Sequence, residues 1–184
     1  MGIKVPNVTF KTRVLDSTIN GPNPYKWKNM TSDDYFRNQT SVVFSLPGAF
    51  TPTCSNFQVP AYNDKYEKFM LERVDNIYCI SVNDAFVMNK WKEQLGVTNI
   101  KFIPDGNGEF TDKMGYLVEK KNLGFGLRSW RYSMFVIDSQ IIKIFEEPGM
   151  DDNVEEDPYE VTDPTTMLNF IKEYNSRKPY NYVI

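Results

Sequence analysis

Histidine is absent from all 184 residues. That removes the Ser-His-Asp triad, the Cys-His dyad, histidine-containing zinc sites and a histidine general base. Cysteine is scarce: Cys54 and Cys79, 25 positions apart, are the whole complement. Two cysteines without histidine exclude a four-cysteine zinc site, and their spacing excludes a C-x-x-C redox pair. Long apolar runs are missing too, since nothing approaches the roughly 18 residues of a membrane-spanning helix. There is no excess of positive charge. Lys plus Arg is 21 and Asp plus Glu is 24, for a net charge of −3, which argues against nucleic acid or an anionic membrane as partner. The N-terminal MGIKVPNVTF has no apolar run of signal-peptide length. Gly2 is followed at position 6 by Pro6, where a myristoylation signal wants Ser or Thr. The expectation is a cytoplasmic protein, in which the sequons at Asn7, Asn29 and Asn38 are chance tripeptides. No cofactor or metal is expected.

The composition that remains is that of a globular protein, with 41% hydrophobic and 24% charged residues. The length fits one domain over 1–184, with a core from about 4 to 172 and a tail after 175. Such a chain buries roughly 70% of its unfolded surface and needs neither disulfide nor metal to hold a core. Residues 8–14 and 25–29 alternate in β fashion around the turn-rich Asn20-Gly21-Pro22-Asn23-Pro24, which predicts an N-terminal β-hairpin. Thr31 to Asp34 caps a short helix. Residues 41–46 and 76–82 read as buried strands, 100–104 as a short one, and 132–138 with 141–146 as a hairpin. Helices are predicted over about 52–71, kinked at Pro60, and over 84–95, stopped by Gly96. Residues 110–119 read as a short helix. A last helix is capped by Asp163, with Pro164 in its first turn. The acidic, Pro- and Gly-bearing stretch 147–163 reads as a solvated loop, with little case for a hard cation at Asp151 to Asp157. Trp27, Trp91 and Trp130 read as core or interface. This order mixes crossovers with hairpins and predicts an α/β protein: one mixed β-sheet with helices on both faces.

Chemistry concentrates in Pro47-Gly48-Ala49-Phe50-Thr51-Pro52-Thr53-Cys54. Cys54 falls in the first turn of the 52–71 helix, where free N–H groups and the positive dipole end favour a thiolate. Thr51 lies one turn earlier. The alternative is a buried, inert cysteine. Without histidine, the activator left to a thiol is an arginine. Arg13, Arg37, Arg73, Arg128, Arg131 and Arg177 are the candidates; Arg131, at the mouth of the 132–138 strand, is held by a rigid element, and Arg128, three residues earlier, is the other attractive one.

PGAFTPTC contains the P-x-x-x-T-x-x-C pattern of peroxiredoxins. SVNDAFVMNKW, IPDGNGEFTDKMGYLV and GFGLRSWRYSM follow in the family's order. Together these four blocks resemble the type II, peroxiredoxin-5-like branch, nearest to the peroxiredoxin half of bacterial peroxiredoxin–glutaredoxin hybrids. The resemblance spans about Lys4 to Ile171. It implies a thioredoxin-like fold, a homodimer, and reduction of hydrogen peroxide and organic hydroperoxides. It also implies roles: Cys54 as the peroxidatic cysteine, Thr51 orienting the peroxide, Pro47 shielding the thiolate from water, and Arg131 stabilising thiolate and transition state. Free cysteine is only about a few per cent ionised at pH 7, so Arg131 and the helix N-terminus are expected to hold Cys54 as thiolate. Thr51, Arg131 and the N–H groups near Thr53 and Cys54 are expected to donate to the leaving oxygen.

Three departures stand out. Gln58 occupies the place of a histidine found in many relatives. No cysteine follows Cys79, so the C-terminal resolving cysteine of animal relatives is missing. The hybrid's glutaredoxin half is missing as well. Cys79 matches a proposed resolving cysteine of plant enzymes, yet NIYCISV reads as a central strand, which favours a structural role. Glutathione with glutaredoxin, or a thioredoxin-type reductant, would then recycle Cys54. The rival reading is a redox sensor or holdase with slow turnover.

Overall fold

A computed structural model describes residues 2–177; the segment 178–184, most of the expected tail, lies outside the described residues. Two strands, β1 (Thr9–Leu15) and β2 (Tyr25–Thr31), pair antiparallel with Thr9 opposite Thr31. They form the expected hairpin. Thr31 then caps α1 (Ser32–Phe36) through a reciprocal capping box with Asp34.

The central sheet has five strands. β3 (Thr40–Ser45) lies in the middle. It pairs in parallel with β4 (Asn76–Ser81), which pairs in parallel with β5 (Lys101–Pro104). On its other side β3 pairs antiparallel with β8 (Tyr132–Ile137), followed by β9 (Gln140–Glu146). The order β5-β4-β3-β8-β9 is the mixed sheet that the sequence pattern predicts. Two further strands, β6 (Leu117–Glu119) and β7 (Leu127–Ser129), form a separate antiparallel ribbon.

Side chains alternate across this sheet and build a core on each face. Val42, Phe44, Ile77 and Cys79 point to one face, where they meet α4 (Ala85–Leu95) through Met88 and Trp91, and α6 (Pro164–Ser176) through Met167 and Ile171. Val43, Tyr78, Ile80 and Met134 point to the other, against Phe36 of α1 and Phe110 of α5 (Glu109–Lys113). Each large apolar side chain so buried contributes about 1.5–3 kcal/mol relative to exposure. Helices therefore cover both faces. Both long helices carry the caps that their sequences announce. Asp84 and Asp163 accept N–H groups in the first turns of α4 and α6, and Gly96 takes the left-handed conformation that ends α4.

The structure corrects three expectations. Residues 110–119 are not one helix, because α5 stops at Lys113. Gly115 then adopts φ 79°, and the chain turns into β6. The 52–71 helix is not one kinked rod. Its residues 54–58 form a π-helical turn, and it breaks at Lys65 into α2 (Val59–Asp64) and α3 (Tyr66–Leu71). Pro60 lacks an N–H, and its ring crowds the carbonyl four residues back. Widening the preceding turn relieves that crowding, and Val59 N–H reaches back to Cys54 O instead. Finally, 147–163 is more than a solvated loop, because Glu147 is fully buried and Asp157, itself part-exposed, pairs with the buried Arg131.

Candidate active site

Cys54 opens the π-helical turn, and its side chain is 0% exposed. The helix begins at Pro52, so the Thr53 and Cys54 N–H groups belong to the first turn and have no intrahelical acceptor. The Ser55 N–H is spent on Thr51 O at 3.0 Å. Trp91 of α4 fixes the same turn by donating its indole N–H to Ser55 Oγ at 3.0 Å.

The loop before the helix is pinned from the end of β4. Asn83 Oδ1 accepts the Ala49 N–H at 2.9 Å and the Ser81 hydroxyl at 2.7 Å. Arg128 donates to Val82 O at 3.3 Å, and its guanidinium runs so close to the loop that a Cβ on Gly48 would lie 2.9 Å from it. A side chain there would have to push the guanidinium aside. Pro47 is buried beneath this loop, whereas Phe50 is 46% exposed and held at φ 65°, a strained value for an aromatic residue. Thr51 donates its hydroxyl proton to Gly48 O at 2.8 Å. A carbonyl can only accept, so that proton is committed. With that bond in place, the Thr51 oxygen is left as an acceptor, where the sequence reading has it donate to a leaving oxygen.

Arg131 is the arginine that reaches the cysteine. Its Nη1 donates to Cys54 Sγ at 3.6 Å, and its side chain is 1% exposed. The same Nη1 donates to Gln58 Oε1, Nη2 pairs with the Asp157 carboxylate, and Nε donates to Pro158 O at 3.0 Å. Tyr159 places its ring 5.7 Å from the guanidinium carbon, within cation–π range. Burying a guanidinium without partners costs several kcal/mol, and here four acceptors offset that. Burial works against its charge, but Cys54 and Asp157 outweigh it, so its pKa is raised and Arg131 stays cationic.

Arg128 donates to Phe125 O and Val82 O, and three more of the candidate arginines are engaged elsewhere. Arg13 serves the hairpin and lies 4.3 Å over Phe86, Arg37 pairs with Asp33, and Arg177 pairs with Glu173. Gln58, Asp157 and Pro158 were not foreseen as neighbours of Arg131. Gln58 lies on the inward face of the helix one turn after Cys54, which was a usable signal. Asp157 and Pro158 carried no signal beyond a cluster of acids.

Cys79 sits in β4 between Phe44 of β3 and Phe102 of β5. It shares the core face of Cys54. Burial pushes its thiol well above the usual range, the neighbouring Cys54 adds to this, and Arg131 opposes it. At neutral pH it is a thiol held on both sides by strands. Among the described residues, no group of three or more Cys, Asp or Glu side chains is arranged to hold a metal ion, and no helix is long and apolar enough to cross a membrane.

A buried thiol facing a charge-stabilised guanidinium at a helix N-terminus, on a five-stranded mixed sheet, is an arrangement suited to thiol-based redox chemistry. Residues 2–160 match the Redoxin family model. A peroxiredoxin of Synechocystis sp. is 56% identical over 169 residues, covering 92% of this chain and 89% of that protein. The hybrid peroxiredoxin of Haemophilus influenzae is 52% identical over 170 residues, covering 92% of this chain and 65% of that one. The crystal structure of the Plasmodium falciparum antioxidant protein, a 1-Cys peroxiredoxin, superposes with a TM-score of 0.86 at 34% identity, covering 94% of this chain and 99% of that one. The chain belongs to the redoxin family and, within it, to the peroxiredoxins. It is a thiol peroxidase with the thioredoxin-like fold, an oxidoreductase that acts on peroxides with a thiol reductant.

Proposed function

We propose that Cys54 is the residue that peroxide oxidises, and that Arg131, Thr51 and Pro47 serve it there. The observation that carries this reading is the Arg131 guanidinium at 3.6 Å from a fully buried Cys54 sulfur. The Cys54 thiolate attacks one oxygen of R–O–O–H; an S–O bond forms as the O–O bond breaks. The product is Cys54 sulfenic acid, and the departing RO⁻ takes a proton to leave as water or an alcohol. Charge moves from sulfur to the leaving oxygen in this step. The guanidinium has five N–H donors, and four are engaged with Cys54, Gln58, Asp157 and Pro158. The fifth, on Nη2, and the Thr53 and Cys54 N–H groups are the donors for that oxygen. Thr51, whose proton is committed to Gly48, accepts the peroxide O–H and orients it. Pro47 keeps bulk water from the sulfur. Stopped-flow mixing of reduced protein with hydrogen peroxide tests the reading. Fast second-order consumption supports it, whereas a rate no greater than that of free cysteine favours a slow sensor or holdase.

The cysteine inventory supports an external thiol as the reductant. A first glutathione thiol condenses with the sulfenic acid, releasing water and leaving a Cys54–glutathione disulfide. A glutaredoxin thiol, or a second glutathione, then reduces that disulfide. A thioredoxin-type dithiol can do the same work. The strand-held, protonated Cys79 supports an external thiol over an internal partner. Cys79→Ser is therefore expected to keep turnover within about twofold of wild type when glutathione and glutaredoxin are supplied, the substitution being small and off the reaction path. Loss of turnover, with a Cys54–Cys79 disulfide dominating the oxidised wild type, overturns this. The homodimer and the cytoplasmic location belong to the same reading, as does one functional unit over about 4–172.

Resolution also demands motion, because a protein thiol cannot reach a sulfur that is 0% exposed. Oxidation to the neutral sulfenic acid removes the charge that Arg131 and the helix N-terminus hold in place. The π-helical turn at 54–58 is an irregular segment bounded by Pro60, so unwinding has a place to stop. Faster hydrogen exchange confined to residues 51–59 is expected after oxidation or glutathionylation, with the sheet unchanged. Equal protection in both states shows that the reductant reaches Cys54 in the folded pocket.

A further inference from the structure

Glu147 is 0% exposed, yet its carboxylate forms no hydrogen bond or ion pair with Cys54 or the Arg131 guanidinium. Its backbone ties it to Arg131 all the same. The Glu147 N–H donates to Arg131 O at 3.1 Å, and Glu147 O accepts the Trp130 indole N–H at 2.8 Å. The two residues thus sit side by side at the end of the β8–β9 hairpin.

From there the Glu147 carboxylate turns into the acidic loop. Its Oε1 accepts the backbone N–H groups of Glu160 at 2.9 Å, Val161 at 3.0 Å and Thr162 at 2.9 Å, and the Thr162 hydroxyl at 2.8 Å. Oε2 accepts the Glu160 N–H as well, at 3.0 Å. Successive N–H groups converging on one point make an anion cradle, and a buried carboxylate without such donors would be costly. The residues just before this cradle, 157–159, supply Arg131 with a carboxylate, a carbonyl oxygen and an aromatic face. The connections close into a ring: Arg131 backbone to Glu147, Glu147 carboxylate to 160–162, and 157–158 back to the Arg131 guanidinium.

We propose that Glu147 is a positioning residue for peroxide reduction: its buried carboxylate anchors residues 160–162, and so fixes where Asp157 and Pro158 hold the Arg131 guanidinium against Cys54. This rests on the assignment of Cys54 and Arg131 above. The local geometry gives the reason. The guanidinium meets the sulfur at 3.6 Å through one of its five donors, and its angle is set by what grips the other nitrogens. Two of those grips, Asp157 and Pro158, lie on an irregular segment with no strand or helix of its own. Glu147 ties that segment to the end of the sheet through three successive N–H groups, where Tyr62 adds only a single bond, its hydroxyl donating to Thr162 O at 2.8 Å.

The test is the second-order rate with hydrogen peroxide, measured by stopped flow, for Glu147→Gln in the wild-type and Arg131→Ala backgrounds. Glutamine keeps the shape and one carbonyl oxygen, but it loses the charge and turns an amide NH₂ toward the loop N–H groups. The rate is expected to fall roughly tenfold in the wild-type background and by less than about twofold once Arg131 is gone, since residues acting through one group are not additive. Should Glu147→Gln not fold, Thr162→Val removes one donor to Oε1 and keeps the charge. It is then expected to lower the rate about two- to threefold, again only while Arg131 is present. An equal fall in both backgrounds marks a general structural role and overturns the proposal. So does a Glu147→Gln rate equal to wild type where Arg131→Ala is slow, and that result leaves the site assignment standing. An Arg131→Ala rate equal to wild type overturns the site assignment along with it.

Discussion

Replacing Cys54 by serine is expected to reduce peroxide consumption to the uncatalysed background, a fall of at least about 10⁴-fold. An alcohol is hardly ionised at neutral pH, and oxygen is a poor nucleophile toward peroxide oxygen, so neither Arg131 nor the helix N-terminus can rescue it. The fold has little reason to change. Serine is smaller by a fraction of an atom, and its oxygen can still accept from Arg131 Nη1, which now donates to the sulfur. Steady-state and stopped-flow assays of Cys54→Ser, with a circular dichroism melt beside them, check both halves. Residual activity above a few per cent of wild type would mean that another group carries the reaction.

Arg131→Ala is expected to slow the reaction with hydrogen peroxide by about 10²–10³-fold, the usual loss when one preorganised donor to a developing negative charge is removed. The thiolate loses its cation, and the leaving oxygen loses a donor. Arg131→Lys is expected to recover no more than about tenfold, because an ammonium restores charge but not the planar fork. It cannot grip Gln58, Asp157 and Pro158 together while facing the sulfur. Breaking a buried ion pair typically costs about 3–5 kcal/mol. Asp157 is 39% exposed and can rehydrate, so a loss of roughly 1–3 kcal/mol is expected here. Comparing rate constants with denaturant midpoints separates the two effects. A rate within a few-fold of wild type in Arg131→Ala would remove arginine from the chemistry.

What the sequence disclosed depended on how local the signal was. The buried strands 41–46 and 76–82 were legible because apolar runs bounded by turns have few other uses. Asp84, Gly96, Asp163 and Pro164 marked helix ends because caps are chemistry of single residues. β6 was missed because three residues make no period, and Leu117 to Glu119 continue a plausible helix until Gly115 is seen to break it. Pro60 signalled trouble in its helix but not its form, since a π-helical turn leaves no pattern of its own. At the site, Thr51 and Cys54 lie in one short motif at a helix start and could be singled out, whereas Pro47, and Arg131 over Arg128, were picked out by the family resemblance. Asp157, Pro158 and Glu147 could not. Glu147 lies 16 positions from Arg131 and Asp157 lies 26 away, in a stretch whose acids look alike. Only the fold tells a carboxylate that faces a guanidinium or a cradle of N–H groups from one that faces water.

The most direct measurement is to trap the oxidised cysteine. Reduced wild-type protein is mixed with one equivalent of hydrogen peroxide in the presence of a sulfenic-acid-trapping dione, digested, and read by mass spectrometry. Label on the Cys54 peptide, with Cys79 unmodified as a thiol, is the expected result. Label on Cys79, or peroxide consumed with neither cysteine oxidised, contradicts the assignment of Cys54 as the residue that peroxide oxidises.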